Sequence, residues 1–307
     1  MKPEEWWKNF ALGLEVDVSG TFIYNGVKRL DELDNLSNSS DIFEVLYNLS
    51  VGIERLLKVA IVLIEHNSQL DMQKFEQSLI SHNVMELANR VDAAQSLELS
   101  GIHRELLSLL SKFYKTHRYN RFSIRSVPNI KAEQVFFLEY LKKYLGIEFP
   151  HSESFFPIKN SDQIRKFIGR AVQKIAHSVF KVVKEKANAL NIYTDELRGD
   201  SKAIQVFYGK RLDFIDERIK KKEILLFLMH ATNRGTHIDL LRSLKPLELN
   251  PEMASSYIKA LLSDSNLPFV GDEIDELYAD AENVVERIGF LEIMDNEYLS
   301  YGEGDES

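Results

Sequence analysis

The chain has 307 residues, 44% of them hydrophobic and 28% charged, with a formal net charge of -9. This is enough for one large or two modest cored domains, and the lack of any Cys excludes disulfides, thiolate metal sites and cysteine nucleophiles and fits a reducing compartment. The longest apolar run, residues 56–64, is broken by Lys58 and falls far short of the roughly 20 residues of a membrane span; with an N-terminus acidic too early for a signal peptide, a cytoplasmic protein without membrane contact is expected.

The first 35 residues form a separate N-terminal segment in this reading. Two short β-prone runs around Ser19-Gly20, followed by Asn25-Gly26, allow a small hairpin over residues 15–26. The polar cluster of residues 35–41 offers N-caps for a long helix. Its apolar positions Ile42, Val45, Leu46, Leu49, Ile53, Leu56, Leu57, Ala60, Ile61 and Ile64 recur at helical spacing. Further apolar residues between them leave little polar face, which is the pattern of a central bundle helix. Residues 71–79 and 82–91 read as shorter helices, and residues 99–114 as a longer one whose first turn Gly101 weakens. Residues 123–160 read as an insertion around one amphipathic helix, 132–145, set off by Pro128, Pro150 and Pro157. Asn160 and Ser161 then offer caps for a strong helix over residues 162–190. After a polar stretch, helical segments are expected near 203–229, 236–243, 250–263 and 272–288. The fold class is all-α, with a bundle over residues 36–192 and a C-terminal helical region over 200–307.

The charge is unevenly spread. Residues 267–307 carry 13 acidic residues against one Arg, whereas residues 103–143 carry nine Lys/Arg against three Glu. The basic stretch is interleaved with Phe113, Tyr114, Tyr119 and Phe122, a pattern compatible with nucleic-acid contact and equally with a solvated helix face. His117, Arg118, Tyr119, Asn120, Arg121 and Phe122 form the densest polar–aromatic cluster. Arg118 and Arg121 suit phosphate and Tyr119 suits a base; alternatively Tyr119 and Phe122 close the bundle beside a helix C-terminus. On the helix from residue 162, Lys166, Arg170, Gln173, His177, Lys181 and Lys184 gather opposite the apolar face. Arg170 and His177 are about 10 Å apart along the axis and suit a phosphodiester and a proton, respectively. A solvated basic face is the competing reading. His82, at an apparent helix start, is either a base or phosphate contact or a capping-region residue packed under the bundle. No phosphate-binding loop, dinucleotide fingerprint, zinc-protease motif, nucleophile elbow or metal-ligand spacing occurs, so no cofactor and no metal are expected.

Three strings, Gly52-Ile53-Glu54-Arg55-Leu56-Leu57-Lys58, then Ser81-His82 leading to Leu87, then Tyr114 followed by Arg118-Tyr119, stand in order before the long closing helix. This order resembles the HEPN superfamily of helical bundles over about residues 40–190. The resemblance implies a metal-independent endoribonuclease or toxin-like effector, with a setting in stress or phage defence. The family's Arg-x4–6-His motif would fall on Arg170 and His177, although Ala171 stands where a polar residue is usual. Two protomers would pair to line one groove, where His177 shuttles the 2′-hydroxyl proton and Arg170 steadies developing charge. Lys166, Lys181, Lys184, Arg118, Tyr119 and Arg121 would contact the RNA. The alternative is a non-catalytic interaction or nucleotide-binding module that meets a protein partner through its acidic C-terminal segment.

Overall fold

A computed structural model describes residues 6–67, 69–117, 122, 124, 131–149, 157–192, 201–230, 239, 242–262, 268–279 and 283–293. The fold is all-α. Among the described residues there is no strand, and a single isolated antiparallel bridge joins Asn35 to Lys159. The chain forms two compact units, Met1–Phe214 and Ile215–Ser307. No helix among the described residues is long and apolar enough to cross a membrane.

The first unit opens with a π-wound turn, Trp7–Ala11, that runs into α1 (Leu12–Glu32). The hairpin expected over residues 15–26 is therefore helix. Val16, Ile23, Val27 and Leu30 recur at helical spacing and are all buried. Gly20 is a packing position and not a turn: a Cβ there would lie 2.5 Å from Ala203 Cα. The β-prone runs on either side of Ser19-Gly20 lie within this one helix.

Asn38 caps α2 (Ser39–Glu65) by accepting the Ser40 N–H at 3.1 Å. A six-residue connection turns α2 back along α1. The register is held by Arg29 to Asp41 and Glu44 at one end and by Arg55 to Glu15 at the other. As its apolar breadth predicts, α2 is central and packs on most of the other helices of the unit. Gly52 is one point of close approach between α1 and α2. A Cβ there would meet Ile23 Cγ1 at 2.7 Å and the Ser19 carbonyl oxygen at 2.8 Å. Ala is favoured over Gly by about 1 kcal/mol in a helix, but a clash with backbone has no rotamer escape. Gly52→Ala is expected to destabilise the unit by about 1–3 kcal/mol, read as a lower urea midpoint.

The short α3 (Met72–Ser78) and α4 (Val84–Ala94) follow, then α5 (Gly101–Lys112), which continues into a π-wound turn, Phe113–His117. Asp92 ties the α4–α5 connection down. Its carboxylate accepts the Leu97 N–H at 2.7 Å and Arg104 Nη2 at 2.9 Å. These bonds, the Leu97 one foremost, hold its pKa below the ordinary 3.8. A depressed carboxylate pKa contributes stability above the unfolded value, and that stability is lost as pH falls through the folded value. Asp92→Asn should therefore cost about 1 kcal/mol at neutral pH. The gap between variant and wild type should close below pH 3.8 in an acid-unfolding series.

The helix inside the predicted insertion, α6 (Ala132–Leu145), is part of the core. Phe137 and Leu141 are fully buried, and Gln134 Nε2 donates to the Leu36 carbonyl at 2.6 Å. The closing helix α7 (Asp162–Ala189) is capped by Ser161. Its start is latched to the end of α1 by Asn160, whose side-chain amide donates to the Leu30 and Leu33 carbonyls at 2.7 and 2.9 Å. The short α8 (Lys202–Tyr208) lies on α1 and α7, with Phe207 stacked on Phe180 at 4.4 Å. The compact unit thus reaches back through the N-terminal segment and forward to Phe214, beyond the expected span of 36–192.

The second unit holds α9 (Ile215–His230), α10 (Ala254–Leu262), α11 (Pro268–Ala279) and α12 (Val284–Ile293). The helical run expected over 203–229 is split at Gly209, whose extended backbone ends α8. Val270 is the one buried hydrophobic residue among those described here. The helix expected near 236–243 lies mostly outside the described residues.

Candidate functional site

On α2, Glu54, whose side chain is only 8% exposed, and Lys58 stand one turn apart in a stretch, residues 51–64, whose other members apart from Arg55 are apolar. A carboxylate removed from water needs donors. Lys58 Nζ donates to Oε1 at 2.6 Å, and Nδ1 of His82 stands 3.2 Å from both carboxylate oxygens. The turn before α4 holds His82 in place. Ser81 Oγ accepts the Asn83 N–H at 3.2 Å, and Asn83 caps α4 through the Glu86 N–H. Because an ionised carboxylate only accepts, Nδ1 carries the hydrogen, and Nε2 of the neutral ring keeps its lone pair. The His82 side chain is 51% exposed.

Tyr114 closes the cluster, its ring 5.1 Å from that of His82. It sits in the π-wound turn after α5, a backbone form enriched at functional sites. Tyr47 lies 6.2 Å beyond it with a 23° interplanar angle, and Phe43 lies 6.3 Å from Tyr47 at 7°. One or two residues of each of the three strings, Glu54 and Lys58, then His82, then Tyr114, therefore meet at one place. A buried carboxylate orients a half-exposed imidazole beside an ammonium and a short row of rings. Such a group can hold an anion and exchange a proton with it.

The residues singled out on α7 are distributed differently. Lys166 and Arg170 are exposed, and no hydrogen bond or ion pair joins Arg170 to His177. Gln173 is buried and donates to the Gly209 carbonyl at 2.9 Å. His177 is half-buried and its Nε2 is enclosed without a hydrogen-bond partner. Burial, aided by the nearby Lys174 charge, lowers its pKa, and the Val206 backbone opposes the shift. α8 and the segment after it cover this part of the stripe, which a helical projection of α7 alone shows as open. Lys184 places its ammonium 5.3 Å from the Tyr208 ring centroid, and Lys181 is exposed beside His177 at a small pocket. Arg118, Tyr119 and Arg121 lie outside the described residues.

No family model, curated protein or solved structure matches this chain.

Glu54 and Lys58 were not among the site residues expected from sequence, although a signal for them existed. An acid–base pair at i and i+4 in a stretch, residues 51–64, whose only other charge is Arg55 is costly to bury unless a further group meets it. Among the described residues, no cluster of three or more His, Asp or Glu side chains has metal-binding closeness.

Proposed function

We propose that the chain is a HEPN-like, metal-independent endoribonuclease or toxin-like effector acting in the cytoplasm, with His82 as its proton carrier. The supporting observation is the Glu54–His82 pair, with Lys58 donating to the same carboxylate. In this reading His82 Nε2 takes the 2′-hydroxyl proton as that oxygen attacks the adjacent phosphate. A 2′,3′-cyclic phosphate forms, and the imidazolium returns the proton to the departing 5′-oxygen. Glu54 holds the tautomer and steadies the imidazolium, and Lys58 offsets the charge gathering on the non-bridging phosphate oxygens. The rings of Tyr114 and Tyr47 offer faces on which unpaired bases stack. Arg118 and Arg121 follow closely in the chain and supply phosphate contacts. The proton role thereby moves from His177, enclosed under α8, to His82, which faces solvent. The test is cleavage of a single-stranded RNA by His82→Ala and Glu54→Gln, set against an Arg170→Ala/His177→Ala double variant.

A second reading rests on the other unit. Residues 224–229 of α9 are all apolar, and Ile224, Leu226, Phe227, Leu228 and Met229 are each 47–70% exposed. An exposed apolar run of this kind marks a contact surface. It supports a module that meets a protein partner, with the acidic C-terminal segment as the charged border of that contact. Partner capture that survives His82→Ala and is lost on Phe227→Asp would favour this reading.

A further inference from the structure

On α7, Lys174, His177, Ser178 and Lys181 fall at i, i+3, i+4 and i+7 and so share one face. This is the spacing that elsewhere on the helix carries its buried residues Ile168, Ala171, Val172, Ile175, Val179 and Val182. Here the four positions carry nitrogen and hydroxyl groups. Opposite them runs the connection of residues 95–98 between α4 and α5, held by Asp92. The two sides enclose a pocket of about 180 Å³.

Lys174 and Lys181 are both exposed and form no hydrogen bond or ion pair among the described residues. They lie about 10 Å apart along the axis and within about 20° of each other around it, so both ammoniums reach the same space. Glu98 is the one carboxylate in the lining. Glu185, one turn beyond Lys181, is already bonded to Gln95 Nε2. The Lys174 charge also disfavours protonation of both His177 and His103, behind burial as the larger cause. Within the lining, two ammoniums therefore face one carboxylate, beside the Ser178 hydroxyl, while Glu185 keeps its charge one turn beyond.

We propose that this pocket binds a phosphate group, held by the ammoniums of Lys174 and Lys181 with His177 and Ser178 beside them. Two convergent ammoniums match a dianion, and charge-assisted hydrogen bonds to phosphate oxygens are the strong class. The pocket uses none of Glu54, Lys58 and His82, so it stands or falls apart from the ribonuclease reading.

The test follows the His177 side-chain resonances of the full chain by NMR, with inorganic phosphate titrated at constant ionic strength. A saturable shift is expected, unaltered in His82→Ala and weakened at least about tenfold in Lys174→Ala/Lys181→Ala, since two charge-assisted partners are removed. Both lysines are exposed, so the double variant should keep its fold, as its amide spectrum will show. No saturable shift, or the same affinity in the double variant, would overturn the proposal. Displacement of phosphate by a 5′-phosphorylated oligonucleotide, and not by its 5′-hydroxyl counterpart, assigns the group to a nucleic-acid end. Competition by neither leaves free phosphate as the ligand.

Discussion

His82→Ala is expected to reduce RNA cleavage by about 10²–10⁴-fold, the usual contribution of a positioned acid–base group. The side chain is half exposed and its contacts are the Glu54 carboxylate and the Tyr114 ring, so its removal opens no core cavity. Glu54→Gln should give a smaller but clear loss. The amide keeps an oxygen for Nδ1–H but no longer carries the charge that favours the imidazolium or the ion pair with Lys58. The Arg170→Ala/His177→Ala double variant should stay within a few-fold of wild type. Its guanidinium stands in solvent and its imidazole is covered by α8, remote in sequence from the Glu54 cluster. A loss in this variant comparable to that of His82→Ala would return the activity to α7. Comparing the three separates a catalytic loss from a folding defect, because circular dichroism should report the same helicity in all of them.

Phe137→Ala should destabilise the first unit by about 3–5 kcal/mol, the range for emptying a fully buried aromatic site. This tests whether α6 belongs to the core. Phe137 and Leu141 are fully buried, Tyr140 donates its hydroxyl to the Ile102 carbonyl at 3.2 Å, and Glu133 accepts from Ser39 Oγ at 2.7 Å. If these contacts hold α6 as part of one cooperative unit, the urea midpoint falls and the slope stays unchanged. An appended helix would instead melt early by itself and leave the main transition where it was.

The helices whose apolar residues form a wide face were legible from spacing alone. Residues 42–64 and 162–190 were predicted as helices and appear as α2 and α7 with nearly those bounds. α1 was not legible, because Gly20 and Asn25-Gly26 carry the local signature of turns. Only the tertiary partner, Ala203 from far along the chain, shows that the missing Cβ serves close packing. The same limit governed the site. The strings around Glu54, His82 and Tyr114 were visible in order, but their meeting around the His82 ring depends on how α2, the turn before α4 and the end of α5 converge. On α7 the projection of a single helix identified the polar face correctly, and α8 then covered part of it. Local spacing reports which residues share a face and is silent about what lies on that face.

The most direct measurement is incubation of the wild-type protein with single-stranded RNA in the presence of a metal chelator, followed by analysis of the product ends. Cleavage that persists with chelator and leaves 2′,3′-cyclic phosphate and 5′-hydroxyl ends is the result predicted from the Glu54–His82 pair. Intact RNA, or cleavage that chelation abolishes, would contradict it.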